Sequence, residues 1–337
     1  MDRVTDQSLM PGARNAVAVC MNVAGADRVW ILTDDERLPI GQALAEAARE
    51  QGASVTLRRM EEWGPRPFLA LPDEMRADLL STAPTVTLLA TSAQPGEIRF
   101  RLPFARFLRQ ELRVRHGHMI GITPALMQTG MLADYHRVAE LTFKVKGAME
   151  QARQVRVTSE LGTNLLVTLD NPNLRWIAFP GLYHMPGQWG NLPEGETCTT
   201  PANVEGIFRA ELLGDYFTEK YGPLPSPVTF FIQGGRVERV EHEDDELADE
   251  IADYLNNADN GCRIGEFAVG TNEALTQLAG NLLQDEKFPG VHLAFGRPLP
   301  EVTNAGWDSD IHVDAISTRC SIWADGTPIM EGGKFLL

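Results

Sequence analysis

The sequence predicts an α/β protein, with an N-terminal domain on a parallel sheet followed by a C-terminal α+β metal-binding domain. Three observations carry this. Strand-like and helix-like runs alternate through the first 150 residues, short β segments pair around turn residues from Val155 onward, and the chain is long enough for two cores. At 337 residues, 43% hydrophobic and 23% charged, it can bury enough surface for domains at 1–150 and 151–337.

The first strand is Arg28-Val-Trp-Ile-Leu-Thr33, ending at Asp34-Asp35. Those carboxylates can cap the amphipathic stretch Leu38 to Gln51, which Gly52 stops, and Ala53 to Leu57 begins the next strand. Thr85 to Ala90 is a third strand, Phe104 to Leu112 a helix and His118 to Thr123 a fourth strand. Alternation of this kind implies parallel strands covered by helices. Neither a G-x-G-x-x-G after the first strand nor a P-loop lysine is present, so Gly117, Gly121 and Gly130 read as loop glycines.

A longer helix, Asp134 to Gln154, carries Val138, Leu141, Val145 and Met149 at helical spacing. Beyond it the pattern turns to hairpins: Val155 to Thr158 with Leu165 to Leu169, and Val228 to Ile232 with Val237 to Val240 around Gly234-Gly235. Asp245 to Asn256 is a helix with an acidic, solvated outer face. No internal repeat or low-complexity tract interrupts the chain.

The net charge of −16 argues against nucleic acid, whose phosphates demand a basic surface. It favours cations and suits a substrate with a free amine, besides serving solubility. Cys20, Cys198, Cys262 and Cys320 show no C-x-x-C spacing, which points away from a zinc knuckle or disulfide framework and towards a reducing cytoplasm. The opening Met-Asp-Arg-Val-Thr-Asp lacks the pattern of an export leader, and no segment approaches the ~20 apolar residues of a membrane span.

Potential metal ligands gather in the second half. His312-x-Asp314, placed on a strand, projects an imidazole and a carboxylate from one face. Glu196 lies in a loop stiffened by Pro193 and Gly195, Glu266 directly follows Gly265, and His292 opens a strand. Rigid positions of this kind suit coordination. Three carboxylates and two imidazoles suit two divalent ions, which ~3.5–4 Å apart would share a hydroxide and polarise a carbonyl for hydrolysis.

These residues resemble a known family, the dinuclear metallo-aminopeptidases of the thermophilic aminopeptidase T and aminopeptidase S type. The resemblance runs through Leu192-Pro-Glu-Gly-Glu-Thr-Cys-Thr-Thr-Pro201 and Gly206, Gly265-Glu-Phe-Ala-Val269, Gly280-Asn281, Asp285-Glu286-Lys287, His292-Leu-Ala-Phe-Gly296 and Ile311-His-Val-Asp314. It implies that Glu196, Glu266, His292, His312 and Asp314 hold two ions of Zn, Co or Mn, with Glu266 also the general base. It further implies a homodimer acting on a short peptide or small amide.

One position departs from the family pattern. A tyrosine belongs seven residues after the histidine of the His-Leu-Ala segment, and here that residue is Leu299, which donates no hydrogen bond. Arg297, Tyr183 and His184 are the candidate substitutes as oxyanion donors.

The final portion also resembles the non-haem iron dioxygenases that open 2,5-dihydroxypyridine, through His312-Val-Asp314 and Arg319-Cys320. On that reading His292, His312 and Asp314 supply a two-histidine, one-carboxylate set for Fe(II). Those enzymes carry a histidine where this chain has Glu266. A non-catalytic relative that kept the fold is the third reading, supported by the missing tyrosine alone.

Overall fold

The computed structural model describes residues 6–214 and 216–337. Met1–Thr5, the start of the segment expected to lack an export leader, lie outside the described residues. The chain is α/β, as the sequence predicts, and among the described residues it has one parallel sheet and two antiparallel ones. It divides into two compact units, Met1–His136 with Gly181–Glu194, and Arg137–Pro180 with Gly195–Leu337. The passage near residue 150 expected from the change of pattern therefore falls earlier. Helix Tyr135–Gln151 turns Leu141, Val145 and Met149 into the core of the second unit.

In the first unit five strands pair in the order Ser54–Arg59, Arg28–Thr33, Val86–Thr91, Arg115–Ile120 and Trp189–Asn191, all parallel. The last of these was not foreseen: three residues with a central glycine carry no strand signal, and pairing with His116–His118 makes them one. The fourth strand begins at Arg115 rather than His118, so Gly117 is a strand residue and not a loop glycine. A Cβ there would lie 2.7 Å from Leu88, so the sheet packs on bare backbone. Helix Asp73–Thr82 escaped notice because its apolar face is narrow, burying only Met75 and Leu79. Trp30, Leu32, Leu89, Phe100 and Phe104 form the core of this unit.

At the ends of two adjacent parallel strands, Asp34 and Ser92 meet the guanidinium of Arg66. This is the switch point of the sheet, where open α/β folds commonly bind ligands, and here a side chain of the protein fills it. Glu97 takes the other edge of the guanidinium and the Phe68 N–H.

His116 is fully buried on the fourth strand, bonded to Thr87 Oγ1 at 2.9 Å and to His118 at 3.2 Å. Burial pushes its pKa down to about 3, with the Thr87 contact opposing and the Arg109 charge assisting. The unfolded chain takes up this proton near pH 6.5 and the folded protein does not, so stability is full above pH 6.5 and is lost as pH falls towards 3. The slope is about 1.4 kcal/mol per pH unit. Urea melts at pH 6.5 and 5 are expected to lose about 2 kcal/mol more in the wild type than in His116→Asn; equal losses would refute a neutral His116.

The second unit has an eight-stranded and a six-stranded antiparallel sheet. The hairpins expected from the sequence appear as Gln154–Thr158 with Asn164–Thr168 and Val228–Gln233 with Arg236–Glu241. Helix Asp245–Asn256 falls where expected, capped by the Asp244 carboxylate on the N–H groups of Glu246 and Leu247. The six-stranded sheet runs Leu212–Leu213, His312–Thr318, Gly290–Gly296, Ile264–Gly270, Glu196–Thr199 and Ile177–Phe179. Among the described residues no helix is long and apolar enough to cross a membrane. The four cysteines are buried and free.

Candidate metal centre

Alternation on the six-stranded sheet separates core from chemistry. Phe267, Val269, Leu293, Phe295, Val313 and Ala315 enter the core. Their neighbours in sequence face the other way and line up across the ladder: Glu266 with Ala294 and Asp314, Ala268 with Cys198 and His292, Glu196 with Gly270, and Gly296 with His312. All five expected ligands thus share one face, and the alanines and glycines between them leave it room.

Local chemistry sets each position. The register shifts between Ile264 and Glu266, so Gly265 is the extra residue of a bulge that turns Glu266 onto the site face. Any Cβ at Gly265 would lie 2.3 Å from the Gly296 carbonyl. Glu196 is the first residue of a strand and not a loop residue, because pairing with Gly270 and Phe179 extends the strand to it. Before it Gly195 sits at φ +135°, with Val138 2.7 Å from where a Cβ would be.

The donors stand in two pairs around one carboxylate. His292 Nε2 is 3.5 Å from Glu196 Oε2 and 3.6 Å from Glu266 Oε1. His312 Nε2 is 3.4 Å from Asp314 Oδ1 and 3.7 Å from Glu266 Oε2. Each oxygen of Glu266 therefore addresses a different imidazole. The Nδ1 of His312 is bonded to the Arg297 carbonyl at 2.8 Å, which orients Nε2 into the site. His292 is only 2% exposed and the His312 side chain 27%, so the site opens at the His312 end.

Two donors on one tetrahedral ion, each bonded at ~2.1 Å, stand ~3.4 Å apart, close to these separations. Glu196 Oε2 is buried without a hydrogen-bond partner, a lone pair in need of a cation. Among the described residues no group of three or more His, Cys, Asp or Glu side chains is placed so that it could hold a metal ion as it stands. The donor set, three carboxylates and two imidazoles, nevertheless has the chemistry of divalent-cation ligands.

Electrostatics points the same way. Burial alone would lower His292, but its hydrogen bond to Glu266 and the charges of Glu196 and Asp314 raise it to about 9. For His312 the adjacent Asp314 and Glu266 likewise outweigh burial and push it well above its ordinary value. Burial would raise Glu266 and Asp314, yet the imidazoles hold both below the usual carboxylate range. The pocket is built for positive charge.

Two residues of the site went unread as functional. Lys287, fully buried, places its ammonium 2.8 Å from Glu196 Oε1 and 2.6 Å from Glu286 Oε1. Burial, with the charges of Glu196 and Asp314, lifts Glu286 to about 8 against the pull of Lys287. The resemblance runs through Asp285-Glu286-Lys287 without giving it a role, and by composition such a charged run ordinarily faces water.

The candidate oxyanion donors are otherwise engaged. Arg297 pairs with Glu301 and Asp308, Tyr183 OH donates to Asn191 O and Glu194 Oε2, and His184 Nε2 bonds Val19 O. Leu299, where the resembled family has tyrosine, adopts φ +52° before a short helix, a left-handed conformation costly for a side chain of its size.

A family model described as NicX: 2,5-dihydroxypyridine 5,6-dioxygenase matches residues 10–263. That span includes Glu196 and stops short of Glu266, His292, His312 and Asp314. Two solved structures share the fold. One is 2,5-dihydroxypyridine dioxygenase from Pseudomonas putida KT2440, with TM-score 0.68 and 17% identity, covering 97% of this chain and 96% of that one. The other is wild-type AmpT from Thermus thermophilus, with TM-score 0.69 and 18% identity, covering 99% and 100%. No curated protein sequence matches.

Proposed function

The chain belongs to the NicX: 2,5-dihydroxypyridine 5,6-dioxygenase family, a family of enzymes, and within it we propose that this member is a two-metal hydrolase of aminopeptidase type. Its substrate is the N-terminal peptide bond of a short peptide or a small amide, and its working form a cytoplasmic homodimer. The observation that carries the reading is Glu266, whose two oxygens each face one imidazole. A two-histidine, one-carboxylate set for Fe(II) needs both imidazoles on a single ion, and here a carboxylate stands between them.

When bound, two divalent ions of Zn, Co or Mn supply Lewis-acid activation of water and of the scissile carbonyl. Glu196 and His292 would hold one, His312 and Asp314 the other, with Glu266 facing both imidazoles. The open side at His312 admits the substrate, while the buried His292 side excludes water. Glu266 Oε2, on the open side, is the acceptor for a proton from the attacking water and can return it to the leaving amine.

The second reading, an Fe(II) ring-opening dioxygenase, is favoured by the family match and would use His292, His312 and Asp314. Elemental analysis of protein purified without chelator, with amine release and oxygen uptake assayed on the same sample, separates the two. Two Zn, Co or Mn per chain with amine release is the expected result. One Fe per chain, no hydrolysis and oxygen uptake with a dihydroxylated pyridine would transfer the proposal to the dioxygenase.

A further inference from the structure

We propose that Lys287 is a positioning residue of the centre: by holding Oε1 of Glu196 it fixes that carboxylate as a one-oxygen ligand, with Oε2 turned to the ion on the His292 side. The inference rests on the two-metal reading. A lysine with no exposed surface is rare and demands a reason. Here the fold delivers it deliberately. Asn281 caps the turn Leu282–Asp285, and the Asp285 carboxylate accepts the N–H groups of Ala279 and Asn281. The Lys287 N–H then bonds Gln284 O, and Lys287 O accepts the Asn272 N–H.

This path lays the backbone of Lys287 and Phe288 directly over Gly270, where a Cβ would lie 2.1 Å from Phe288 O. Gly270 is the ladder partner of Glu196. The stem of Lys287 consequently starts beside the carboxylate it holds, 2.8 Å from Oε1, while Oε2 stays unpartnered and 3.5 Å from His292 Nε2. Free to rotate, that carboxylate would offer either oxygen; with the ammonium in place it offers one.

A plainer role, balancing the charges of Glu196 and Glu286, predicts the opposite outcome. Removing a mere positive charge beside a cation site tightens cation binding, and removing a positioner loosens it. The variant Lys287→Met leaves two buried carboxyl groups without their shared partner and can fail to fold, whereas Lys287→Met with Glu286→Gln removes both members of the buried Lys287–Glu286 pair together. Calorimetric titration of Zn²⁺ into the full chain, stripped with chelator and checked by far-UV circular dichroism, reads the difference.

The wild type is expected to take two equivalents. In the double variant one keeps its affinity and the other weakens about 10–100-fold; Glu286→Gln alone keeps both. Wild-type affinity for both equivalents in the double variant, or equal weakening by Glu286→Gln alone, would overturn the role of Lys287 and leave the two-metal reading standing. Fewer than two equivalents in the wild type would overturn both.

Discussion

Glu266→Gln lowers turnover by about 10³-fold or more and leaves the fold standing. The amide keeps one carbonyl oxygen and puts an NH₂ where the other was, so it accepts no proton and presents a donor to one of the two imidazoles. Both functions proposed for Glu266 fail together. Its buried setting sharpens the effect, because the amide replaces a carboxylate that faces both imidazoles at once. Bound metal should fall below two per chain in the same preparation. The fold is expected to persist, since glutamine matches the volume and the Gly265 bulge that aims the side chain is a backbone feature. Steady-state kinetics, metal content and a thermal melt on one sample decide it. Unchanged turnover would remove Glu266 from the mechanism, and lost structure would reassign it to stability.

That the candidate residues Glu266, His292, His312 and Asp314 share one face was legible in the sequence because strand geometry has a period of two. Glu266-Phe-Ala-Val-Gly270, His292-Leu-Ala-Phe-Gly296 and His312-Val-Asp314 each alternate a donor or small residue with an apolar one, and that alternation alone puts the donors on one face. What alternation cannot give is register, and register brings Glu266 level with Asp314 through Ala294. Glu196 was placed in a loop because proline and glycine precede it; only its neighbours make it a strand residue.

Long-range pairing hid the rest. Lys287 looks like solvent-facing charge until a buried carboxylate is seen beside it. The strand Trp189–Asn191 exists by pairing with residues some seventy positions earlier in the chain, and this return is why one sequence boundary could not describe the two units. The resemblance to aminopeptidases foretold a fold that the likeness to AmpT bears out, while the family match favours the dioxygenase branch.

Arg66→Ala destabilises the first unit by about 3–5 kcal/mol. The guanidinium is 8% exposed, against 1% for Asp34 and 2% for Glu97, so its removal strands two carboxylates away from water. Asp34 has other support, from Ser92 N–H and hydroxyl and from Arg37 N–H, and with Arg66 these hold its carboxyl below the ordinary range although burial opposes them. Glu97 has in addition the Phe68 N–H, which ties the segment carrying Arg66 to the Phe100 helix through the Phe68–Phe100 ring contact. Losing Arg66 thus loosens a loop as well as a charge pair. For a unit of this size the midpoint of thermal unfolding should fall by roughly 10 °C. Adding Asp34→Asn and Glu97→Gln to Arg66→Ala should recover part of that loss, because the penalty lies mainly in the uncompensated charges rather than in the missing bond. A triple variant no more stable than Arg66→Ala would show instead that packing of the guanidinium itself holds the switch point closed.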